Sequence, residues 1–248
     1  MKFRLPARVN RLVGRALRDY AMLADGDRVL VAVSGGVDSL VLTHLLAFWR
    51  AKAPIRYELF PAHVRRDAAT AQTAEAEVAK AGLELAMLEA PILHLNDDDA
   101  ETSCHLCARA RRARLFEAAR ERGCNKLALG HHRDDLIETF LMNLTCAGNL
   151  STMRPRQDLF GGKLSLIRPL AYVEKADIEA VARDNGLRPA PSTCPLPGRT
   201  RRDAMHELAE EICRRIPGAK RHMFAALGNA RAEYLLDPQT SQPCEAAE

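Results

Sequence analysis

The chain has 248 residues, 47% of them hydrophobic, enough for one large α/β core with an appended helical piece. No apolar run reaches the roughly 18 residues of a membrane span, and the amino terminus MKFRLPARVNRLVGRALRDY lacks a signal peptide's apolar stretch, so a cytoplasmic protein is expected. Seven cysteines without even pairing or compact spacing argue against a disulfide scaffold, and a net charge of +4 carried by 29 Arg against 7 Lys suits phosphate and RNA contacts.

From Pro6 to Leu23, apolar residues at Val9, Leu12, Val13, Leu17 and Met22 predict an amphipathic helix that Asp25-Gly26-Asp27 ends, making 1–25 an N-terminal helical unit. Val29 to Val33 then read as a buried strand, Ser34, Gly35 and Gly36 break it, and Leu40, Val41, Leu45 and Leu46 recur at helical spacing. A glycine turn between a strand end and a helix start points backbone N–H groups outward and favours an anion. It is neither a Walker loop, which needs four residues between its glycines and then Lys-Ser/Thr, nor the dinucleotide fingerprint. Ser34 and Ser39 can donate hydroxyls, Gly35 and Gly36 permit close backbone approach, and Asp38 can hold magnesium beside a pyrophosphate. A plain Gly-Gly turn with a Ser/Asp helix cap is the alternative.

Next come a strand in RYELFPAHV, a helix rich in Ala and Glu through Lys80, a strand in LELAMLEA, a helix from about Cys104 to Arg122 and a strand in NKLALGHH. This alternation predicts a doubly wound parallel sheet of the α/β class, with ligands at the carboxyl ends of its strands. SCHLCARARRARLF places Cys104 and Cys107 at a helix start, where thiol pKa values fall, and follows them with Arg109, Arg111, Arg112 and Arg114. A lone Cys-x-x-Cys is open among zinc, redox and iron–sulfur use. LALGHHRDDLIETF repeats the strand, glycine turn and helix pattern, so Gly130, His131 and His132 fall at the sheet's carboxyl edge. Asp134 and Asp135 open the helix that continues to Leu144, either as caps or, with Asp38, as catalytic carboxylates that ligate magnesium or position a reacting group.

A strand near Leu164 to Ile167 and a helix from Glu174 to Asn185 complete a core spanning 26–188. The proline-rich LRPAPSTCPLPG marks a boundary and fixes Cys194 in a loop able to present one thiol, whereas Cys124 and Cys146 read as small core residues. The unit 189–236 carries helical stretches at Thr200 to Arg215 and Gly218 to Tyr234, and the polar tail 237–248 is expected to be disordered. Arg109, Arg111 and Arg112, with Arg199, Arg201 and Arg202, are candidate RNA contacts, solvated helix faces being the alternative.

Ser34 to Ser39, read as Ser-Gly-Gly-x-Asp-Ser, resembles the PP-loop of ATP pyrophosphatases, enzymes that split ATP into AMP and pyrophosphate. With Gly-His-His-x-Asp-Asp it is similar to their tRNA-modifying branch. Adding the Cys-x-x-Cys ahead of RARRARLFEAARERGCNKLALGHHRDD, then IRPLAYVEKADIEAVA and a later cysteine, the chain resembles the tRNA 2-thiocytidine synthetase (TtcA) family over roughly Arg28 to Phe224. The resemblance implies an adenine nucleotide alpha-hydrolase-like fold. It further implies ATP- and magnesium-dependent replacement of the C2 oxygen of cytidine 32 in tRNA by sulfur, through an adenylated base and with a [4Fe-4S] cluster.

Carried over by position, Ser34, Gly35, Gly36, Asp38 and Ser39 bind the ATP phosphates, His63, Gly130 and His131 line the nucleotide pocket, and Cys104, Cys107 and Cys194 hold the cluster. The implied partners are tRNA, a sulfur donor (a cysteine desulfurase or free sulfide) and a second copy of the chain in a homodimer. Two departures stand out. The family's loop usually has Lys where this chain has Val37, so that cation must come from elsewhere, and the family usually carries two cysteines where PSTCPLPG has one. Two other readings share the ATP motifs: a tRNA-cytidine lysidine synthetase-like ligase, which has no use for Cys104 and Cys107, and a zinc- or redox-sensing ATP-binding protein without an RNA substrate.

Overall fold

The computed structural model describes residues 3–65, 67–89, 100–191 and 201–236. In chain order the elements are α1 (Ala7–Asp19), β1 (Asp27–Ala32), α2 (Val37–Arg50), β2 (Tyr57–Arg65), α3 (Ala68–Ala79), β3 (Ala86–Glu89) and α4 (Ala100–Glu121). They continue with β4 (Lys126–Ala128), α5 (Arg133–Cys146), β5 (Arg156–Leu159), β6 (Leu164–Ile167), α6 (Lys175–Asp184), α7 (Arg201–Arg215) and α8 (Ala219–Ala226). The strands form one sheet in the order β3-β2-β1-β4-β6-β5, parallel except for β5, which pairs antiparallel with β6.

β1 is apolar throughout its centre because both its faces are covered. Val29 and Val31 pack in a core shared with Val9 and Val13 of α1, Leu42 and Leu45 of α2 and Ile178 of α6. Leu30 faces the other way, into a core with Leu115 and Ala119 of α4 and with Leu127. Strands on opposite sides of β1 and β4 are reached in opposite directions, which opens a crevice at the carboxyl ends of that pair. Both glycine turns read from the sequence open there.

The described residues depart from the sequence expectations at four places. α4 begins at Ala100, about one turn ahead of Cys104, so Cys104 and Cys107 lie inside the helix, where the dipole's help to a thiolate has largely faded. β5 was not anticipated: it is a short edge strand of mostly polar residues, joined to β6 through Gly161 and Gly162, both at positive φ. Cys146, expected in the core, is exposed at the last position of α5. The last predicted helix stops at Ala226, and only a single 3-10 turn follows at Ala232–Tyr234. Cys194, Arg199 and the tail 237–248 lie outside the described residues. No described helix is long and apolar enough to cross a membrane.

Candidate active site

The turn after β1 is closed by its own hydroxyls. Ser39 Oγ donates to Gly36 O at 2.9 Å and accepts from Ser34 N at 3.1 Å, while Gly36 N donates to Ser34 Oγ at 3.3 Å. Gly35 has φ +86°, and a Cβ there would meet Thr70 Cγ2 at 2.9 Å. Thr70 is fixed in turn by Asp67, which caps α3 by accepting from Thr70 N and Oγ1 at 2.7 and 2.9 Å. Glycine is thus required at position 35 both by the left-handed backbone and by the helix pressed behind it.

The second glycine turn lies directly on the first. A Cβ at Gly130 would come within 3.1 Å of the Asp38 carbonyl carbon and of Ser39 N, so only glycine lets the two loops touch. Together they border a cavity of about 520 Å³ lined by Ser34, Gly36, Asp38, Ser39, Gly130 and His131. His63, 3% exposed, lines it as well: Nδ1–H donates to Val33 O at 2.8 Å, and Nε2 is buried with no hydrogen-bond partner among the described residues. Ala108, Arg111, Arg112 and Leu115 bring one face of α4 to the same cavity, and with Arg202 of α7 three of the arginines read as RNA contacts stand in its wall. Arg109 is exposed beyond them. Cys107 lies one turn before Arg111, and Cys104 holds the same relation to Ala108.

Each carboxylate of the site holds a cation from the C-terminal half. Asp38 accepts from Lys175 Nζ at 2.7 and 2.9 Å, Asp134 from Lys220 Nζ at 2.6 Å and from Lys175 N at 2.9 Å, and Asp135 from Arg202 and from His132 N. Burial works against the charge on Asp134, yet hydrogen bonding from His132, from Lys220 and from the Lys175 backbone N–H holds it well below the usual carboxylate range. Asp134 and Lys175 face a second cavity, of about 860 Å³, which Asp38 and Asp135 share with the first. Arg201 is exposed beside Arg202.

α7 is tied to α5 by His206, whose Nδ1 lies 2.8 Å from the buried Glu138 carboxylate. That hydrogen bond raises the His206 pKa above 6.5. A raised histidine contributes stability that is complete below the unfolded value and lost as pH rises through the folded one. Amide exchange in α7 is therefore expected to accelerate from pH 6 to pH 8 beyond its intrinsic increase. His206→Gln should abolish the excess; an excess that survives would place the switch elsewhere.

His131 is the neutral member of the site. Burial, more than the neighbouring Arg168 charge, pulls its pKa down to about 4. Arg168, 6% exposed and meeting no carboxylate within ion-pair distance among the described residues, keeps its charge even with its pKa lowered to about 10 by burial and Arg112. Its Nε donates to His131 Nδ1 at 3.2 Å, so that nitrogen accepts and the ring proton sits on Nε2. Arg168→Leu is expected to cost about 2–4 kcal/mol, because His131 Nδ1 and Arg154 O lose their donor. It should also move the acid limb of the pH–rate profile upward as His131 protonates more readily. An unmoved limb would separate Arg168 from His131.

Residues 6–190 match the PP-loop domain family. A tRNA-cytidine(32) 2-sulfurtransferase of Syntrophotalea carbinolica is 39% identical over 94% of this chain and 93% of its own length. Another from Geobacter sulfurreducens is 37% identical over 96% and 95%. The chain belongs to the tRNA-cytidine(32) 2-sulfurtransferase family. Among solved structures, the U34-tRNA thiolase NcsA of Methanococcus maripaludis with its [4Fe-4S] cluster superposes with a TM-score of 0.72 at 20% identity, covering 89% of this chain and 77% of that one, which shows a shared fold. In this sulfurtransferase-family chain, sequence reasoning reached the two loops but missed Lys175, Lys220 and Arg168. Lys175 and Arg168 fall within IRPLAYVEKADIEAVA, and a charged residue just past a buried strand is the signal that could have found Arg168.

Proposed function

We propose that this chain is an ATP-dependent tRNA sulfurtransferase that exchanges the C2 oxygen of cytidine 32 for sulfur and releases AMP and pyrophosphate. The carrying observation is the contact of the two loops at Gly130, which joins a phosphate-binding turn to a carboxylate cluster beside an arginine-lined helix face. The C2 oxygen of the base attacks the α-phosphorus of ATP and pyrophosphate departs; sulfide then adds at C2 and AMP leaves with the oxygen. An anticodon-loop base, being unpaired, can be splayed into such a cavity.

The turn from Ser34 to Ser39 binds the phosphates through backbone N–H groups and hydroxyls, and Asp38 is the carboxylate placed to hold magnesium. His63 Nε2 suits a donor group of the nucleotide, and His131 presents a neutral N–H that does not titrate near neutrality. Asp134 and Asp135 position the cations Lys220 and Arg202. Arg111 and Arg112, with Arg109, Arg199, Arg201 and Arg202, suit RNA phosphates, so tRNA affinity should fall steeply with salt.

Cys104, Cys107 and Cys194 would hold the [4Fe-4S] cluster, which when bound supplies an iron site for sulfide. Their chemistry fits it: Cys107 is a free, partly buried thiol, and its helix leads into the cavity wall. Cys194, the third ligand of this reading, lies outside the described residues. The sulfur itself is drawn from a cysteine desulfurase or from free sulfide. The test is incubation of anaerobically reconstituted protein with tRNA, ATP, magnesium and sulfide, followed by mass spectrometry of the nucleosides. 2-Thiocytidine is expected; lysidine would overturn the reading, as would a colourless protein holding stoichiometric zinc.

A further inference from the structure

The phosphate-binding turn contains no cation of its own: the first turn of α2 brings Val37 and the acidic Asp38. A departing pyrophosphate carries more charge than backbone N–H groups alone neutralise, so a mobile positive group within reach of the turn has an evident use. Lys175 is such a group. It opens α6, its backbone N–H is pinned to Asp134 Oδ2 at 2.9 Å, and its ammonium bridges both oxygens of Asp38 at 2.7 and 2.9 Å. The anchor is rigid, since Ile178 and Val181 bury α6 in the core shared with α2. The head is not buried: the side chain is 35% exposed and ends at the one carboxylate of the phosphate turn, which borders both cavities.

Arg111 and Arg112 line the first cavity from α4 and are the tRNA-phosphate contacts of the proposed reading; two other cations near the turn are committed elsewhere. Arg202 is engaged by Asp135 and Glu138, and Lys220 by Asp134, on carboxylates outside the phosphate turn. Only the partner of Lys175 is the carboxylate expected to take magnesium. A carboxylate that binds a divalent ion cannot also keep both its oxygens on an ammonium, so loading of Asp38 frees Nζ beside the phosphates.

We propose that Lys175 is the phosphate cation of this site: parked on Asp38 in the nucleotide-free protein, it transfers to the β- and γ-phosphates when magnesium–ATP binds and holds the pyrophosphate as it leaves. The proposal rests on the PP-loop reading of the site and adds the residue that replaces a loop lysine. It makes Lys175 a residue that touches substrate, in contrast to a purely structural partner of Asp38.

The test is equilibrium binding of α,β-methylene-ATP, pyrophosphate and AMP to anaerobically purified full-length protein at saturating magnesium. Lys175→Met is expected to weaken α,β-methylene-ATP and pyrophosphate by roughly tenfold or more, with AMP within about twofold, because AMP lacks the phosphates that Nζ would contact. Lys175→Arg should recover most of the loss. Lys175→Gln keeps a donor for Asp38 without the charge, so it should fail like Met and serves if Met disturbs the fold. Equal affinities for all three ligands in wild type and both neutral variants would overturn the proposal, as would a uniform weakening that includes AMP. Wild-type protein that binds neither α,β-methylene-ATP nor pyrophosphate would instead sink the PP-loop reading, and this proposal with it.

Discussion

Cys107→Ser is expected to remove iron and tRNA thiolation together while leaving ATP affinity within about twofold, because the two ligands use separate segments. In the proposed reading the phosphates meet the turn after β1, whereas Cys107 sits in α4, a turn ahead of the cavity-wall arginines. Cys194→Ser should behave in the same way. Cys124 and Cys146 supply the controls, for different physical reasons. Cys124 is packed with Leu115 and Leu127, and burial pushes its thiol pKa up, which disfavours the thiolate an iron ligand needs. Ser there should cost about 1–2 kcal/mol as a small core substitution and leave the iron in place. Cys146 is exposed at the end of α5, so its replacement should change neither stability nor iron. Iron and acid-labile sulfide content after anaerobic purification, with mass spectrometry of tRNA nucleosides, reads all four variants. Iron retained in Cys107→Ser but lost in Cys124→Ser or Cys146→Ser would refute the ligand assignment.

The sequence made legible whatever is written as local pattern. β1 and α2 could be read because a strand buried on both faces is continuously apolar and the following helix returns to apolar residues every three or four positions. Both glycine turns followed from where those patterns break. β5 escaped because an edge strand half open to solvent carries polar residues, and Arg156, Gln157 and Asp158 look like loop. The sequence pattern puts the start of α4 a turn late because the acidic stretch before it has no apolar period to mark the boundary. What the sequence could not reveal is pairing across the chain. Lys175 lies 137 positions from Asp38, and Lys220 lies 86 from Asp134. A charged side chain announces no partner, so the cations of the site became visible only when α6 and α8 were folded back onto the sheet edge.

Asp38→Asn is expected to slow pyrophosphate formation by about 10³-fold or more, roughly 4 kcal/mol of lost transition-state stabilisation. Asn has nearly the same shape, so the backbone contact of Asp38 and Ser39 with Gly130 is kept and the loops stay joined. What disappears is the negative charge that holds Lys175: its Nζ loses its carboxylate, whereas His132 loses one of three, keeping Asp134 and Asp135 at 3.6 and 3.5 Å. The carboxylate proposed to hold magnesium at the phosphates is lost with it. Gly130→Ala makes the complementary change, keeping the charge and displacing it, since the new Cβ would press on the Asp38–Ser39 backbone at 3.1 Å. That variant should lose activity through geometry, with a lowered melting temperature, whereas Asp38→Asn should lose it with the fold intact by circular dichroism. Single-turnover release of pyrophosphate distinguishes the two from wild type. An Asp38→Asn protein within tenfold of wild type would show that the charge at this turn takes no part in the departure of pyrophosphate.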